Sequence, residues 1–189
     1  MNYFTNYVET VASSLRNMAV TDRSETPLTQ EEGLARWCDL TREMQQADRT
    51  MYFTGNGASA AMSGHMSADA SKNGGIRSQA FNEISLMTAV SNDIAYDRCF
   101  AEPLKRFARA GDILVTISSS GNSPNIIRAI ETARECDVQV ITLSGMKPEN
   151  RSKAMGDLNF YIPAHTYGIV EVAHQAVLHC WLDRFMEEI

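Results

Sequence analysis

From residue 51 onward, short runs rich in β-branched and aromatic residues alternate with longer stretches of helical character, and no other feature of the chain constrains its fold as tightly. The runs are "MYFTG" followed by 59–72, "ISLMTAV" followed by 93–109, "DILVTIS" followed by 123–135, "VQVITLS" followed by roughly 149–155, and "LNFYIPA" followed by 168–188. Parallel strands need a crossover between them, and a crossover helix buries its apolar face on the sheet. Five such units therefore predict an α/β fold: an open, five-stranded, mostly parallel sheet flanked by helices on both faces. Ligands of such sheets bind outside the carboxyl ends of the strands, which is where the Gly- and Ser-rich turns of this chain fall.

Residues 1–47 carry no convincing strand. Tyr3, Val8, Val11, Leu15 and Met18, then Leu34, Trp37, Cys38 and Met44, recur at helical spacing and predict a helix pair. Between the two, "TDRSETPLTQEE" predicts a turn around Pro27 and a cap at Thr29 with acidic residues after it. A helical extension at 1–47 thus precedes an α/β core at 48–189, and the whole reads as one domain, in keeping with 189 residues, 44% of them hydrophobic.

A net charge of −6 and the lack of any Lys/Arg-rich run exclude a nucleic-acid surface, which needs a clustered basic face. The longest apolar stretches fall far short of the ~20 residues that cross a bilayer, so no membrane span is expected. Cys38, Cys99, Cys136 and Cys180 are widely spaced with no CxxC pair and no secretory signal before them. Free thiols in a reducing cytoplasm are expected.

Two turns carry the chemistry. In "FTGNGASAAM" (53–62), Gly55 and Gly57 open like a dinucleotide fingerprint, but Ala60 stands at the third glycine position and the acidic partner about 20 residues on is not evident. A nicotinamide site and a bare strand-to-helix turn both fit this stretch taken alone. In "TISSSGNSPNIIRAIETA", Ser118, Ser119, Ser120 and Ser123 surround Gly121 between an apolar strand and a helix start. Hydroxyls, free backbone N–H groups and the positive end of a helix dipole converge there, which suits a phosphate without a lysine. Serines also cap helices, but one cap uses one hydroxyl.

Together, "GNGAS", "SND" at 91–93 and "SSSGNSPNIIRAIETAR" resemble the sugar isomerase (SIS) domain family, and more narrowly the phosphoheptose isomerases. The likeness runs over nearly the whole chain. It implies a three-layer, flavodoxin-like sandwich, a homotetramer with active sites at subunit contacts, and interconversion of sedoheptulose 7-phosphate and D-glycero-D-manno-heptose 7-phosphate. It further implies that Ser118, Ser119, Ser120 and Ser123 hold the sugar phosphate, that Asn56, Gly57, Ala58 and Ser59 line the substrate, and that Asn92 and Asp93 reach sugar hydroxyls. No nucleotide cofactor is implied, and the product would feed lipopolysaccharide or capsule heptose biosynthesis.

His65 and Asp69 stand at i and i+4 on one helix face, a spacing that serves a shared metal, a shared proton or a plain structural contact. "IVEVAHQAVLHCWL" adds Glu171, His174 and His179 on the last helix. By resemblance, His65, Asp69, Glu171 and His179 form a zinc site, one ion per active site, Asp69 and Glu171 also touch substrate, and Asp69 and His179 are the acid/base pair of an enediol isomerisation. Glu171 and His179 lie ~12 Å apart along a regular helix, so sharing one ion needs opposed side chains, an irregular helix start or a second subunit. His174 is a rival ligand or a core histidine. His165, in the loop after the last strand, is a surface residue or a substrate contact.

The chain departs from the phosphoheptose isomerase pattern at Asp69, where Glu is usual, at Glu171, where Gln is usual, and at Asn73, where Arg is common. Two rival readings follow: an isomerase of another phosphosugar, and a noncatalytic SIS protein that binds a partner such as a replication initiator. Trp37, Met44, Trp181 and Phe185 offer more apolar surface than one layer over a sheet needs, which points to a helical bundle between subunits, with packing of these helices on their own sheet as the alternative.

Overall fold

The structure, a computed structural model, describes residues 2–188. Its helices are α1 (Tyr3–Arg16), α2 (Gln30–Gln46), α3 (Ala58–Lys72), α4 (Ile84–Asp93), α5 (Ala101–Phe107), α6 (Pro124–Glu135) and α7 (Tyr167–Glu187). Its strands are β1 (Ala19–Asp22), β2 (Pro27–Leu28), β3 (Met51–Gly55), β4 (Ser78–Ala80), β5 (Ile113–Ser118), β6 (Gln139–Gly145) and β7 (Leu158–Ile162). They form one mixed sheet of seven strands in the order β2-β1-β7-β6-β5-β3-β4. The stretch from β7 to β4 is parallel throughout, and β1 and β2 add an antiparallel hairpin at the β7 edge.

Every residue of β3, β5 and β7 is buried, as expected of strands covered on both faces. Alternate side chains serve two cores. Phe53, Val115, Ile117, Ile141, Leu143 and Phe160 pack with Trp37, Met66, Trp181 and Phe185 of α2, α3 and α7. Tyr52, Leu114 and Val140 face Phe100, Leu104, Ile126 and Ile130 from the α5 and α6 side. This is the three-layer α/β arrangement expected from the sequence, with five parallel strands at its centre.

Three local expectations are corrected. "ISLMTAV" is not a strand but most of α4: Glu83 caps it by accepting the N–H groups of Ser85 and Leu86, and Ile84 faces solvent. The parallel strand in that part of the chain is β4, "SQA", a short edge strand with no buried side chain and hence no apolar signature. The N-terminal region is not wholly helical either. β1 pairs Val20 with Phe160 of β7, and the turn lies before Pro27, where the Asp22 carboxylate accepts the N–H groups of Ser24 and Thr26. The residues expected as a helix near 149–155 form only a single 3-10 turn at Ser152–Ala154.

The cap at Thr29 is as expected. Its side chain accepts from Glu32 N–H while the Glu32 carboxylate accepts from Thr29 N–H, a reciprocal capping box. Trp37, Met44, Trp181 and Phe185 are all buried within the chain, with Trp37 stacked on Trp181 at 4.6 Å between ring centroids. Docking of α2 and α7 on their own sheet accounts for them, so they are not the surface for a second subunit. Large exposed apolar residues lie elsewhere: Tyr3, Phe4 and Val8 on α1, Ile84, Ile94, Tyr96 and Phe107 in the stretch from α4 to α5, and Tyr167 and Val172 on α7.

Candidate active site

At the carboxyl ends of β3 and β5 the chain forms a cavity of about 140 Å³, lined by Asn56, Ser59, Ile117, Ser118, Ser119, Ser120, Ser123, Tyr167 and Glu171. Its walls are helix starts. Ser59 is in the first turn of α3, Ser123 is the N-cap of α6, and Tyr167 opens α7. Three positive dipole ends therefore converge on one small volume that no Lys or Arg lines.

The hydroxyls are poised for a guest rather than for capping. Ser123 makes no side-chain cap hydrogen bond, and the buried Ser119 Oγ has no hydrogen-bond partner. Ser118 Oγ accepts Gly121 N–H and Ser120 Oγ accepts Asn122 N–H, which shapes the loop and leaves both O–H groups to donate. Gly121, at φ +62, makes the bend possible, and a Cβ there would fall 2.0 Å from Asn150 Oδ1. Gly55 serves the other wall: a Cβ on it would lie 2.5 Å from the Ser59 carbonyl oxygen, so α3 starts as close to β3 as it does only because no side chain intervenes.

Further along α3 and α7 a second set of groups meets. His65 Nε2 is 3.4 Å from Asp69 Oδ2, and the His65 and His179 rings are 5.3 Å apart edge to face. One ligand atom each from His65, Asp69 and His179 lies within 4.8 Å of the others. Two imidazoles and a carboxylate are a donor set suited to a borderline metal such as Zn²⁺, with three protein ligands leaving a position open.

The expected site residues thus separate. Glu171 is not in the three-residue cluster but lines the serine cavity. His174 is fully buried, its Nε2 donating to the Ser144 carbonyl at 3.1 Å, and stands in the core rather than with the ligands. Burial lowers its pKa from 6.5 to about 4, with the Ser144 carbonyl opposing that shift. Gly57 and Ala58 are exposed beside the cavity. Asn92 and Asp93 are exposed in the last turn of α4, bonded to each other at 2.8 Å, and do not line the cavity. His165 is exposed on its loop.

Sequence reasoning missed Tyr167 and Ile117 as cavity residues. Tyr167 follows the α7 cap Thr166, and a helix start at a strand's carboxyl end was the available signal. The four cysteines are free, with Cys38 and Cys99 buried. Among the described residues no helix is long and apolar enough to cross a membrane.

Comparison with known proteins places these features in a family context. Residues 7–145 match the family model described as SIS domain. The phosphoheptose isomerase of Akkermansia muciniphila is 33% identical over 164 residues, covering 84% of this chain and 85% of that protein. That of Thiobacillus denitrificans is 32% identical over 137 residues, or 68% and 70% of the two chains. Among solved structures, the phosphoheptose isomerase of Neisseria gonorrhoeae superposes with a TM-score of 0.82 at 27% identity, over 97% of this chain and 95% of that one. The Francisella tularensis phosphoheptose isomerase gives 0.84 at 20% identity over 100% and 96%, a likeness of fold.

Proposed function

The chain belongs to the SIS domain family, and from that premise we propose that it is an aldose–ketose isomerase that converts sedoheptulose 7-phosphate to D-glycero-D-manno-heptose 7-phosphate. The observation that carries this reading is the pairing of two sites on the same two helices. Ser59 and His65 are six residues apart on α3, or ~9 Å of rise, and Glu171 and His179 are ~12 Å apart on α7. A substrate with its phosphate in the serine cavity and its carbonyl near His65, Asp69 and His179 has to span that offset, as a long sugar phosphorylated at its far end does.

In this reading the hydroxyls of Ser118, Ser119, Ser120 and Ser123 and the start of α6 hold the phosphate, and that remote binding fixes the reacting carbons. Asn56, Gly57, Ala58 and Ser59, with Glu171, border the sugar. Asp69 takes the proton from the hydroxyl-bearing carbon beside the carbonyl as the C–H electron pair becomes the enediol double bond. His179 protonates the carbonyl oxygen; return of a proton to the former carbonyl carbon as the neighbouring hydroxyl loses its own completes the exchange without any redox partner. His65, Asp69 and His179 would hold a zinc ion, which when bound supplies a positive charge that polarises the substrate oxygens.

Assembly as a homotetramer is part of the same proposal, supported by the exposed Tyr3, Phe4 and Val8 of α1 and the exposed Tyr167 and Val172 beside the cavity. A cytoplasmic location is proposed alongside it, since sugar phosphates are made and used there. Asp69 and Glu171 favour a second reading, another phosphosugar as substrate. The shorter acid changes the reach to the reacting carbon, and Glu171 sets a negative charge in the phosphate cavity itself.

The test is to incubate the purified protein with sedoheptulose 7-phosphate and follow aldose formation, with Asp69→Asn and His179→Ala alongside. Turnover by the native chain and its loss in both variants is expected. No turnover by the native chain overturns the heptose assignment, and full activity in both variants overturns the acid/base roles.

A further inference from the structure

We propose that Asn125 is a positioning residue of this site, whose buried amide locks the Gly55–Gly57 turn onto the start of α6 and so sets the sugar wall at a fixed distance from the phosphate wall. The proposal rests on the isomerase reading for its substrate and on the hydrogen bonds alone for its geometry.

Asn125 is 1% exposed, one residue into α6 past Pro124. Its Nδ2 donates to Asn56 Oδ1 at 2.8 Å, and Asn56 Nδ2 donates back to Asn125 Oδ1 at 2.9 Å. The two side chains form a closed, two-bond amide pair that joins segments 69 residues apart. Asn125 has nothing left over: its second N–H points to Cys99 Sγ at 3.4 Å, and its oxygen also accepts Ile126 N–H at 3.0 Å. On the other side Tyr96, from the 3-10 turn after α4, donates its hydroxyl to the same Asn56 oxygen at 3.0 Å.

Both lone pairs of Asn56 Oδ1 are therefore taken, by Tyr96 and by Asn125. The Asn56 side chain cannot accept a hydrogen bond from a sugar hydroxyl while this pair stands. What the turn presents instead are the N–H groups of Gly57 and Ala58, which as the first of α3 have no intrahelical carbonyl to reach. Their direction is set by the backbone, and the backbone is held by the amide pair.

The two walls differ in how else they are held. The serine loop has anchors of its own: Ser152 N–H donates to the Gly121 carbonyl at 2.9 Å, and Arg151 N–H to Asn122 Oδ1 at 3.0 Å. Gly55 is fixed by its place opposite Ile117 in the β3–β5 ladder, but beyond it the turn has, apart from the amide pair, only the Tyr96 hydroxyl on Asn56, short-range bonds at the start of α3 and the Asn82 amide on the Ala60 carbonyl. Breaking the pair should therefore release the Gly turn and leave the phosphate loop in place. Loss at the sugar end with the phosphate end preserved is a pattern that general destabilisation does not produce.

The experiment measures binding of inorganic phosphate and of sedoheptulose 7-phosphate by calorimetry, together with turnover of the latter, for the native protein, Asn125→Ala and Tyr96→Phe. For Asn125→Ala we expect phosphate affinity within about threefold of native. Its extra affinity for the sugar phosphate should be lost and kcat should fall roughly 10- to 100-fold, the scale of a misplacement of about 1 Å. Tyr96→Phe, which leaves the amide pair closed, should retain kcat within about threefold, the scale of a single modest hydrogen bond. Unchanged sugar binding and kcat in Asn125→Ala overturn the proposal, as does a parallel loss of phosphate and sugar binding, which would make Asn125 merely structural. If the native protein gains affinity from the sugar but does not isomerise it, the isomerase reading falls and the ratio of the two affinities still decides the role of Asn125.

Discussion

Mild acid should weaken this fold through a residue assigned no contact with substrate. His174 is buried on α7 with Nε2 donating to the Ser144 carbonyl, and its Nδ1 has no partner. Protonation would place a charged N–H at Nδ1 where nothing accepts it, and burial accordingly holds the pKa at about 4 against an ordinary 6.5. The unfolded chain thus binds this proton more tightly than the folded one. The stability due to neutral His174 is complete above pH 6.5 and is lost progressively as the pH falls to about 4. At about 1.4 kcal/mol per pH unit the interval from 6.5 to about 4 amounts to roughly 3 kcal/mol, a sizeable share of the ~5–15 kcal/mol typical of a domain. Urea unfolding followed by the fluorescence of the stacked Trp37 and Trp181, at fixed protein concentration from pH 7.5 to 4.5, reads this directly. His174→Gln is the comparison, since its amide keeps a donor for Ser144 but does not titrate. Whatever its stability at neutral pH, the variant should lose less stability than the native protein as the pH falls below 6.5, the difference growing to roughly 2–3 kcal/mol by pH 4.5. Parallel pH curves for the two proteins would refute the reasoning. Because α7 carries both Glu171 and His179, the same titration should blunt activity at a pH above that of global unfolding.

Other perturbations probe the site itself. Gly121→Ala combines a positive φ with a Cβ 2.0 Å from Asn150 Oδ1, and Asn150 is buried and tied to the Lys147 carbonyl. Inorganic phosphate affinity should drop at least about tenfold and thermal stability by about 2 kcal/mol, measured by calorimetry and by melting. Glu171→Gln removes the one carboxylate lining the cavity, so phosphate should bind about 3- to 10-fold more tightly, with the gain shrinking as salt is raised. Zinc measured by mass spectrometry after dialysis should be stoichiometric in the native protein and lost in His65→Ala but kept in His174→Gln, because only His65 belongs to the three-ligand cluster.

The sequence by itself determined the layered α/β plan and the places where ligand chemistry gathers. A continuous apolar, β-branched run such as "DILVTIS" reads as a buried strand, and a loop such as "SSSGNS" at a helix start offers donors that a core cannot absorb. It was silent wherever the signal is not local. β4 is polar because an edge strand buries little, "ISLMTAV" is helical because its Glu83 cap outweighs its β propensity, and β1 exists because β7 offers an unpaired edge. For the site, sequence spacing put Glu171 and His179 ~12 Å apart along one helix but left open whether the two share an ion. Only the tertiary structure could decide that His65 and Asp69 meet His179 across two helices, that His174 turns inward to Ser144, and that Asn56 spends its side chain on Asn125. Those outcomes depend on how α3, α6 and α7 dock on the sheet, and docking is set by the fit of two whole cores rather than by any stretch of chain read alone.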